Sequence, residues 1–174
     1  MSDILKSVKG ELKLISKKGS LKNLNADIYK TGNFVVKVRS GYKLESAKAY
    51  HAYQIAIRKD LEFLPEYFGT IIGLIENDKE FYPSIISFFE WVEPLAFRSL
   101  KDFRDAYDLI LKAYQKGYFL DPRPPNFGKK SENIIYLDDG GVGKLPYNLL
   151  LPEDSIKTFT KYFKKTKRLK DGHI

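Results

Sequence analysis

The residues best suited to chemistry lie in two neighbouring stretches, YFLDPRPPNFG from Tyr118 and IIYLDDGG from Ile134. Asn126 follows Asp121 by five positions on a proline-rich segment, which predicts a loop rather than a helix. From a loop, the carboxylate can face a hydroxyl and the amide oxygen can face a magnesium ion. Phosphoryl transfer needs such groups beside a cation that contacts the phosphates. The spacing therefore favours phosphoryl transfer, although Asp-Pro and Asn-Phe-Gly are also ordinary turn formers.

The amino-terminal half is predicted to be rich in strands. ELKLIS at 11–16 alternates apolar and polar residues, and ADIYKTG and NFVVKVRS flank a turn at 31–33, which predicts a three-stranded antiparallel meander. KLESAKAYHAYQIAIR at 43–58 predicts a helix. The side chains expected on its apolar side are Leu44, Ala47, Tyr50 or His51, and Ile55. TIIGLI and EFYPSIISFFEWV predict a second hairpin around 76–78, in which Pro83 indicates an edge or a bulge.

The carboxyl-terminal half is predicted to be helical. Ser99 and Asp102 form the pattern of a capping box, and the helix that they begin would end at Gly117. Its apolar positions are Leu100, Phe103, Tyr107, Ile110 and Tyr114. GGVGKLPYNLLLP is irregular, and DSIKTFTKYFKKT predicts a last helix. The side chains expected to pack from that helix are Ile156, Phe159, Tyr162 and Phe163. A β-rich half joined to a helical half predicts a ligand cleft between them.

Composition narrows the kinds of site. The 174 residues suit one folding unit made of two lobes, 1–92 and 93–174. There is no cysteine, and the two histidines, His51 and His173, lie far apart, so a bound metal would be a hard, oxygen-liganded ion such as Mg²⁺. No stretch suits a signal peptide or a membrane span, so we expect a cytoplasmic protein, in its own cell or in a host.

The net charge of +8 is compatible with nucleic acid or an acidic protein as a partner. Much of the excess charge lies in KYFKKTKRLK near the carboxyl terminus. The aromatic residues occupy expected core positions instead of alternating with Lys and Arg on one face, which disfavours nucleic acid.

DPRPPN resembles the catalytic loop of protein kinases, whose pattern runs Asp, apolar, Lys or Arg, Pro, any residue, Asn. The resemblance implies that Asp121 is the catalytic carboxylate, Arg123 a cation that faces phosphate and Asn126 a metal ligand. Asp138 begins an Asp-Asp-Gly that is similar to the family's metal-binding Asp-Phe-Gly, which implies that Asp138 holds magnesium. Because Asp139 replaces the Phe, either carboxylate stays open as the ligand.

FVVKV resembles the Val-Ala-Ile-Lys strand of the same family, which implies that Lys37 contacts the α- and β-phosphates of ATP. The alternative is an ordinary outward-facing lysine on a half-buried strand. Glu45, the acidic residue of the next predicted helix, is implied as the partner of Lys37. SFFEWV resembles the hinge between the lobes, where backbone groups from Glu90 to Val92 would meet adenine.

Two departures from the family pattern indicate a minimal member. The expected glycine-rich loop is reduced to Gly19 and Ser20, with Lys17 and Lys18 as further contacts to phosphate. Only 34 residues follow Gly140, too few for an activation segment and a peptide-docking subdomain. The chain is therefore similar to atypical kinases, among them the lipopolysaccharide-sugar and RIO types and the minimal kinases of bacterial effectors and phage.

The resemblance implies an α+β, bilobal, protein-kinase-like fold with a small antiparallel-sheet lobe and a truncated helical lobe. It further implies ATP and Mg²⁺ as cofactors and a protein Ser or Thr hydroxyl as the acceptor. Two alternatives stay open. The chain could be a pseudokinase that binds a protein partner without turnover, or a basic nucleic-acid-binding protein.

Overall fold

The structure is a computed structural model. It describes residues 13–16, 26–40, 44–77, 80–144 and 152–171. Gly19 and Ser20, expected to contact phosphate together with Lys17 and Lys18, lie outside the described residues.

The chain divides into two compact units. The first contains 1–59 and 65–91, and the second contains 60–64 and 92–174. Antiparallel sheets accompanied by helices confirm the predicted α+β class.

The first unit is built on one antiparallel sheet. Its strands are β1 (Lys13–Ser16), β2 (Asp27–Thr31), β3 (Phe34–Ser40), β4 (Tyr67–Asn77) and β5 (Glu80–Glu90). They lie in the order β1-β2-β3-β5-β4. The predicted meander and the pairing of β4 with β5 in a second hairpin are both confirmed.

Pro83 lies in β5, which is a central strand of the sheet, between β3 and β4. It pairs in register with Leu74 of β4. The expectation of an edge strand or a bulge at Pro83 was therefore wrong. On the side towards β3, the residues that follow Ser40 lie outside the described ranges.

Helix α1 (Leu44–Asp60) confirms the predicted helix, but its buried side is different. The buried residues are Ala47, Gln54 and Ile57. Ile55 is 44% exposed, so its assignment to the apolar side was wrong. Of the alternatives Tyr50 and His51, Tyr50 is half-buried and His51 is exposed. Arg58 explains the difference, because its guanidinium donates a hydrogen bond to Oε1 of Gln54 at 2.5 Å. A polar side chain that is hydrogen-bonded can occupy the interior.

The second unit contains short strands and two helices. Its elements are β6 (Glu93–Pro94), α2 (Leu100–Gln115), β7 (Tyr118–Leu120), β8 (Phe127–Lys130), β9 (Asn133–Tyr136), β10 (Val142–Lys144) and α3 (Pro152–Asp171), with 3₁₀ turns at Pro124–Asn126 and Asp139–Gly141. β7 pairs with β10, and β8 lies between β6 and β9. β10 falls within the stretch expected to be irregular, because three residues are too few to show a strand period. Residues 145–151 of that stretch lie outside the described ranges.

Helix α2 has the predicted capping box. The Ser99 hydroxyl accepts from the N–H of Asp102 at 3.2 Å, and the Asp102 carboxylate accepts from the N–H of Ser99 at 2.9 Å. Gly117 follows the helix with φ +82°, a conformation that favours glycine. The buried residues are Phe103, Ala106, Leu109, Ile110 and Ala113. Leu100 is 73% exposed, contrary to its predicted role, because the first turn projects it away from this buried side.

An aromatic cluster forms the interior of the second unit. The ring centroid of Phe97 lies 4.7 Å from that of Phe103, 6.0 Å from Phe127 and 5.9 Å from Phe159. Phe97 has φ +49°, which is unfavourable for a bulky residue and persists only where the surroundings enforce it. The cluster therefore determines the path of the chain between β6 and α2.

Helix α3 contributes Phe159 to this cluster, as predicted. Tyr162 also contacts Phe97, with 6.1 Å between the centroids. Ile156 is 49% exposed, so its predicted packing was wrong. Ser155 is buried one turn before Phe159, because residues four apart share a face and Ile156 is rotated off it. The side chain of Phe163 lies outside the described part of the structure.

Replacing Ser99 with alanine is expected to lower the free energy of unfolding by about 1 kcal/mol, since the N–H of Asp102 loses its acceptor. Urea denaturation followed by circular dichroism measures the change. Ser99→Asp keeps a capping acceptor and is the control, expected to stay close to wild type. Equal stability of S99A and S99D would contradict the role of the cap.

Candidate active site

The loop between β7 and β8 carries Asp121 and Asn126. Arg123 has an extended backbone (φ −65°, ψ 127°), as expected for a residue that precedes proline. Pro124 then begins the 3₁₀ turn, which closes with a 2.9 Å hydrogen bond from the N–H of Asn126 to the carbonyl of Arg123. The prolines thus give the loop a defined course and bring the two ends of the motif together.

Asp121 and Arg123 form an ion pair within this loop. The Nε of Arg123 donates to Oδ2 of Asp121 at 2.6 Å, and its backbone N–H donates to Oδ1 at 3.1 Å. The hydrogen bond to Asp121 raises the pKa of the Arg123 guanidinium, and the negative charge of Asp138 adds to the effect. The Arg123 side chain is 63% exposed, so the pair contributes little to stability.

Asn126 is held next to Asp121. Its Nδ2 donates to the carbonyl of Asp121 at 3.2 Å, which leaves Oδ1 as the amide atom that could bind a cation. The carbonyl of Asn126 in turn accepts from the N–H of Leu137 at 2.7 Å. The loop is therefore joined directly to the residue that precedes Asp138.

Asp138 and Asp139 have different surroundings. Asp138 is half-buried, and its Oδ1 accepts from the N–H of Gly140 at 3.2 Å. Asp138 follows Leu137, whose N–H donates to the carbonyl of Asn126, so the backbone of Asp138 lies next to the loop. The negative charge of Asp138 contributes to the raised pKa values of Arg123 and Tyr136. Asp139 is buried and begins a 3₁₀ turn. Asp121, Arg123, Asn126 and Asp138 therefore come together within the second unit.

Tyr136 belongs to this group, and the sequence analysis missed it. Its side chain is fully buried, and its hydroxyl contacts both the N–H and the carbonyl of Asp121. Burial raises its pKa, and the charges of Asp138 and Asp121 raise it further. The available signal was one polar-tipped residue at the end of the otherwise apolar strand IIYL.

Lys37 lies in the middle of β3 in the first unit. It is 7% exposed, so it is not an outward-facing surface lysine. Its Nζ lies 4.9 Å from the ring centroid of Phe89, and it pairs across the sheet with Ser87. The Ser87 hydroxyl is 3.0 Å from Oγ1 of Thr70. Lys37 thus stands beside hydroxyl groups in a largely buried part of the sheet.

Three other residues are expected at the nucleotide site: Glu45, Glu90 and Val92. Glu45 is exposed in the first turn of α1. In the first unit, Glu90 ends β5 and its N–H donates to the carbonyl of Glu66 at 2.9 Å. In the second unit, Val92 is buried.

The donor set near the loop suits magnesium better than a transition metal. Across the described ranges, no three acidic or histidine side chains cluster in a way that could hold a metal ion. Magnesium commonly uses one or two carboxylates and completes its shell with water and substrate phosphates. Asp138 and the amide oxygen of Asn126 fit that requirement. Among the described helices, none is long and apolar enough to cross a membrane.

Comparisons with known proteins identify the fold. No protein-family model and no curated protein matches the sequence. The Legionella pneumophila kinase Lpg2603 bound to IP6 is similar in structure, with a TM-score of 0.51 and 16% identity over 82% of this chain and 53% of that chain. The L. pneumophila effector kinase LegK7 in complex with human MOB1A has a TM-score of 0.46 and 15% identity, over 82% of this chain and 33% of that one.

The similarity to Lpg2603 confirms the predicted protein-kinase-like fold class. The chain spans about half the length of Lpg2603 and about a third of LegK7. At these identities the comparisons show the fold alone.

Gly128, two residues after Asn126, is expected to tolerate no side chain. An added Cβ would lie 2.8 Å from the carbonyl oxygen of Glu93 and 2.9 Å from side-chain atoms of Leu137 and Val92. Gly128→Ala should therefore lower the free energy of unfolding by about 1–3 kcal/mol, measured by urea denaturation.

Gly73→Ala is the matched control for this substitution. Among the described residues, its added Cβ would meet the flexible end of the Ile86 side chain, at 2.9 Å, which can move aside. A loss of stability in G73A as large as that in G128A would show that the backbone contact to Glu93 is unimportant.

Proposed function

We propose that this protein is a kinase-like phosphotransferase that uses ATP and Mg²⁺. One observation supports the proposal: within a kinase-like fold, the loop that carries Asp121 and Asn126 is hydrogen-bonded to Leu137, the residue before Asp138. Phosphoryl transfer depends mainly on positioning and charge stabilisation, and these side chains are the kinds that provide both.

The roles follow from the chemistry of each group. The Asp121 carboxylate would accept the proton of the attacking hydroxyl, and Arg123 would bind a phosphate oxygen. Asn126 and Asp138 would hold Mg²⁺, with Asp138 preferred to the more buried Asp139. When bound, the ion would neutralise negative charge on the phosphates. Lys37 is proposed to contact the α- and β-phosphates.

The ion pair between Asp121 and Arg123 is compatible with this mechanism. Arg123 occupies both oxygens of the Asp121 carboxylate, one with its side chain and one with its backbone N–H. An exposed ion pair is weak, whereas a guanidinium binds phosphate strongly and with two parallel hydrogen bonds. A bound nucleotide can therefore draw the side chain of Arg123 away and release Oδ2 of Asp121.

The proposed acceptor is a serine or threonine hydroxyl of an acidic protein. The net charge of +8 favours the approach of an acidic partner. ATP and Mg²⁺ are both abundant in the cytosol, which is the compartment that we propose.

The same ion pair favours a second candidate, a pseudokinase that binds nucleotide or a protein partner without turnover. If Arg123 keeps its hold on Asp121 when nucleotide is bound, the carboxylate cannot accept a proton. The two candidates differ in turnover rather than in fold.

Binding of ATP should raise the melting temperature in the presence of Mg²⁺, and Asp138→Ala should abolish the magnesium-dependent part of the shift. At about a hundred times its dissociation constant, a ligand adds about 2.7 kcal/mol to stability, which is readily measured by differential scanning fluorimetry. Glu132→Gln is the control, because the Glu132 side chain is 88% exposed. A wild type that shows no shift with ATP and Mg²⁺ would refute a nucleotide site.

Asp121→Asn should reduce turnover by about 10²–10⁴-fold, the usual range for loss of a proton acceptor. The magnesium-dependent shift with ATP should persist, since Asp121 is not assigned as a metal ligand. Phosphate transfer from labelled ATP to an acidic protein mixture, together with ATP hydrolysis, measures turnover. A wild type that binds ATP and Mg²⁺ but transfers and hydrolyses nothing would favour the pseudokinase.

A further inference from the structure

The hydroxyl of Tyr136 is the most completely buried polar group beside the candidate loop. Tyr136 is the last residue of β9 and is 0% exposed. Its ring packs edge-on against Phe127, with centroids 5.4 Å apart, and the two residues are paired between β8 and β9. The ring is therefore fixed from two directions, and the position of its hydroxyl is determined by the sheet.

This hydroxyl contacts both backbone groups of Asp121. It accepts from the N–H of Asp121 at 3.0 Å and donates to the carbonyl of Asp121 at 3.3 Å. The same carbonyl accepts from Nδ2 of Asn126 at 3.2 Å. A phenylalanine at this position would preserve the packing of the ring and remove all contact with the backbone of Asp121.

Tyr136 also lies two residues before Asp138. The end of β9 therefore both contacts the loop and leads into Asp138. The N–H of Tyr136 donates to the carbonyl of Phe63 at 2.9 Å, and the N–H of Leu137 donates to that of Asn126 at 2.7 Å. These bonds hold the backbone just before Asp138. The spacing between Asp121, Asn126 and Asp138 is therefore set through one side chain and its neighbouring backbone bonds.

We propose that Tyr136 is a positioning residue, whose hydroxyl holds Asp121 and Asn126 in place relative to Asp138. The expected effect of Tyr136 on turnover rests on the proposed function. Its expected effect on the position of the loop rests on the hydrogen bonds alone. Partners that orient functional groups in this way commonly affect activity about 10–100-fold when they are removed.

Tyr136→Phe tests the proposal, and Tyr118→Phe is the matched control. Tyr118 is also a buried tyrosine of the second unit, and its hydroxyl donates to the carboxylate of Asp60 instead of to the loop. Each substitution removes one hydroxyl and one or two hydrogen bonds. A general loss of stability would therefore affect both variants alike.

The first measurement is amide hydrogen exchange followed by NMR, which needs no substrate. The N–H of Asp121 should exchange about tenfold faster in Y136F, the factor that corresponds to one lost hydrogen bond, and should be unchanged in Y118F. Unchanged exchange of Asp121 in Y136F would overturn the proposal.

The second measurement is steady-state turnover with ATP. We expect kcat to fall about 10–100-fold in Y136F with little change in KM for ATP, while Y118F keeps the wild-type kcat. Faster exchange combined with a kcat equal to that of Y118F would show that Tyr136 is merely structural. Absence of turnover in the wild type would refute the proposed function, and the exchange rates would then decide whether Tyr136 holds the loop.

Discussion

The hydrogen bonds between Tyr136 and the backbone of Asp121 are the constraint on which the candidate site depends. They connect the loop to a strand that is paired within a sheet. Loops are easily displaced unless a rigid element holds them. Here β9 is that element, and Asp138 lies two residues after its end. The arrangement of the three candidate side chains is thus a property of the second unit as a whole.

The ion pair between Asp121 and Arg123 holds both side chains in place and can still be exchanged for a contact with phosphate. Both side chains are partly exposed, so the ion pair gives the Asp121 carboxylate its hydrogen-bond donors while contributing little to the free energy of folding. An incoming phosphate offers Arg123 a stronger partner than the carboxylate does. The proline after Arg123 limits the backbone at that point, so the exchange of partners needs only side-chain movement.

Several polar side chains of the first unit are buried. Lys37, Gln54 and Ser87 are all buried, and hydrogen bonds or ring contacts compensate for the loss of water around them. A buried lysine is costly unless its charge meets favourable groups. Its position beside the ring of Phe89 and the hydroxyl of Ser87 supplies part of that compensation. Because burial of a lysine costs free energy, the buried position of Lys37 supports the proposal that it contacts phosphate.

The sequence by itself determined the order of the elements, because strand alternation, helix caps and turn residues act over a few positions. The meander, the two hairpins, the capping box at Ser99 and the loop at Asp121 all follow from such local signals. The buried sides of α1 and α3 could not be predicted from such signals. The polar residues Gln54 and Ser155 are buried there, whereas a pattern of apolar residues predicts only apolar side chains in the interior. Only the tertiary structure decided that Tyr136 contacts Asp121, that Leu137 is hydrogen-bonded to Asn126, and that Lys37 is buried. Each of these depends on which segments, distant in sequence, come into contact in the fold. The spacing of residues along the chain does not predict such contacts.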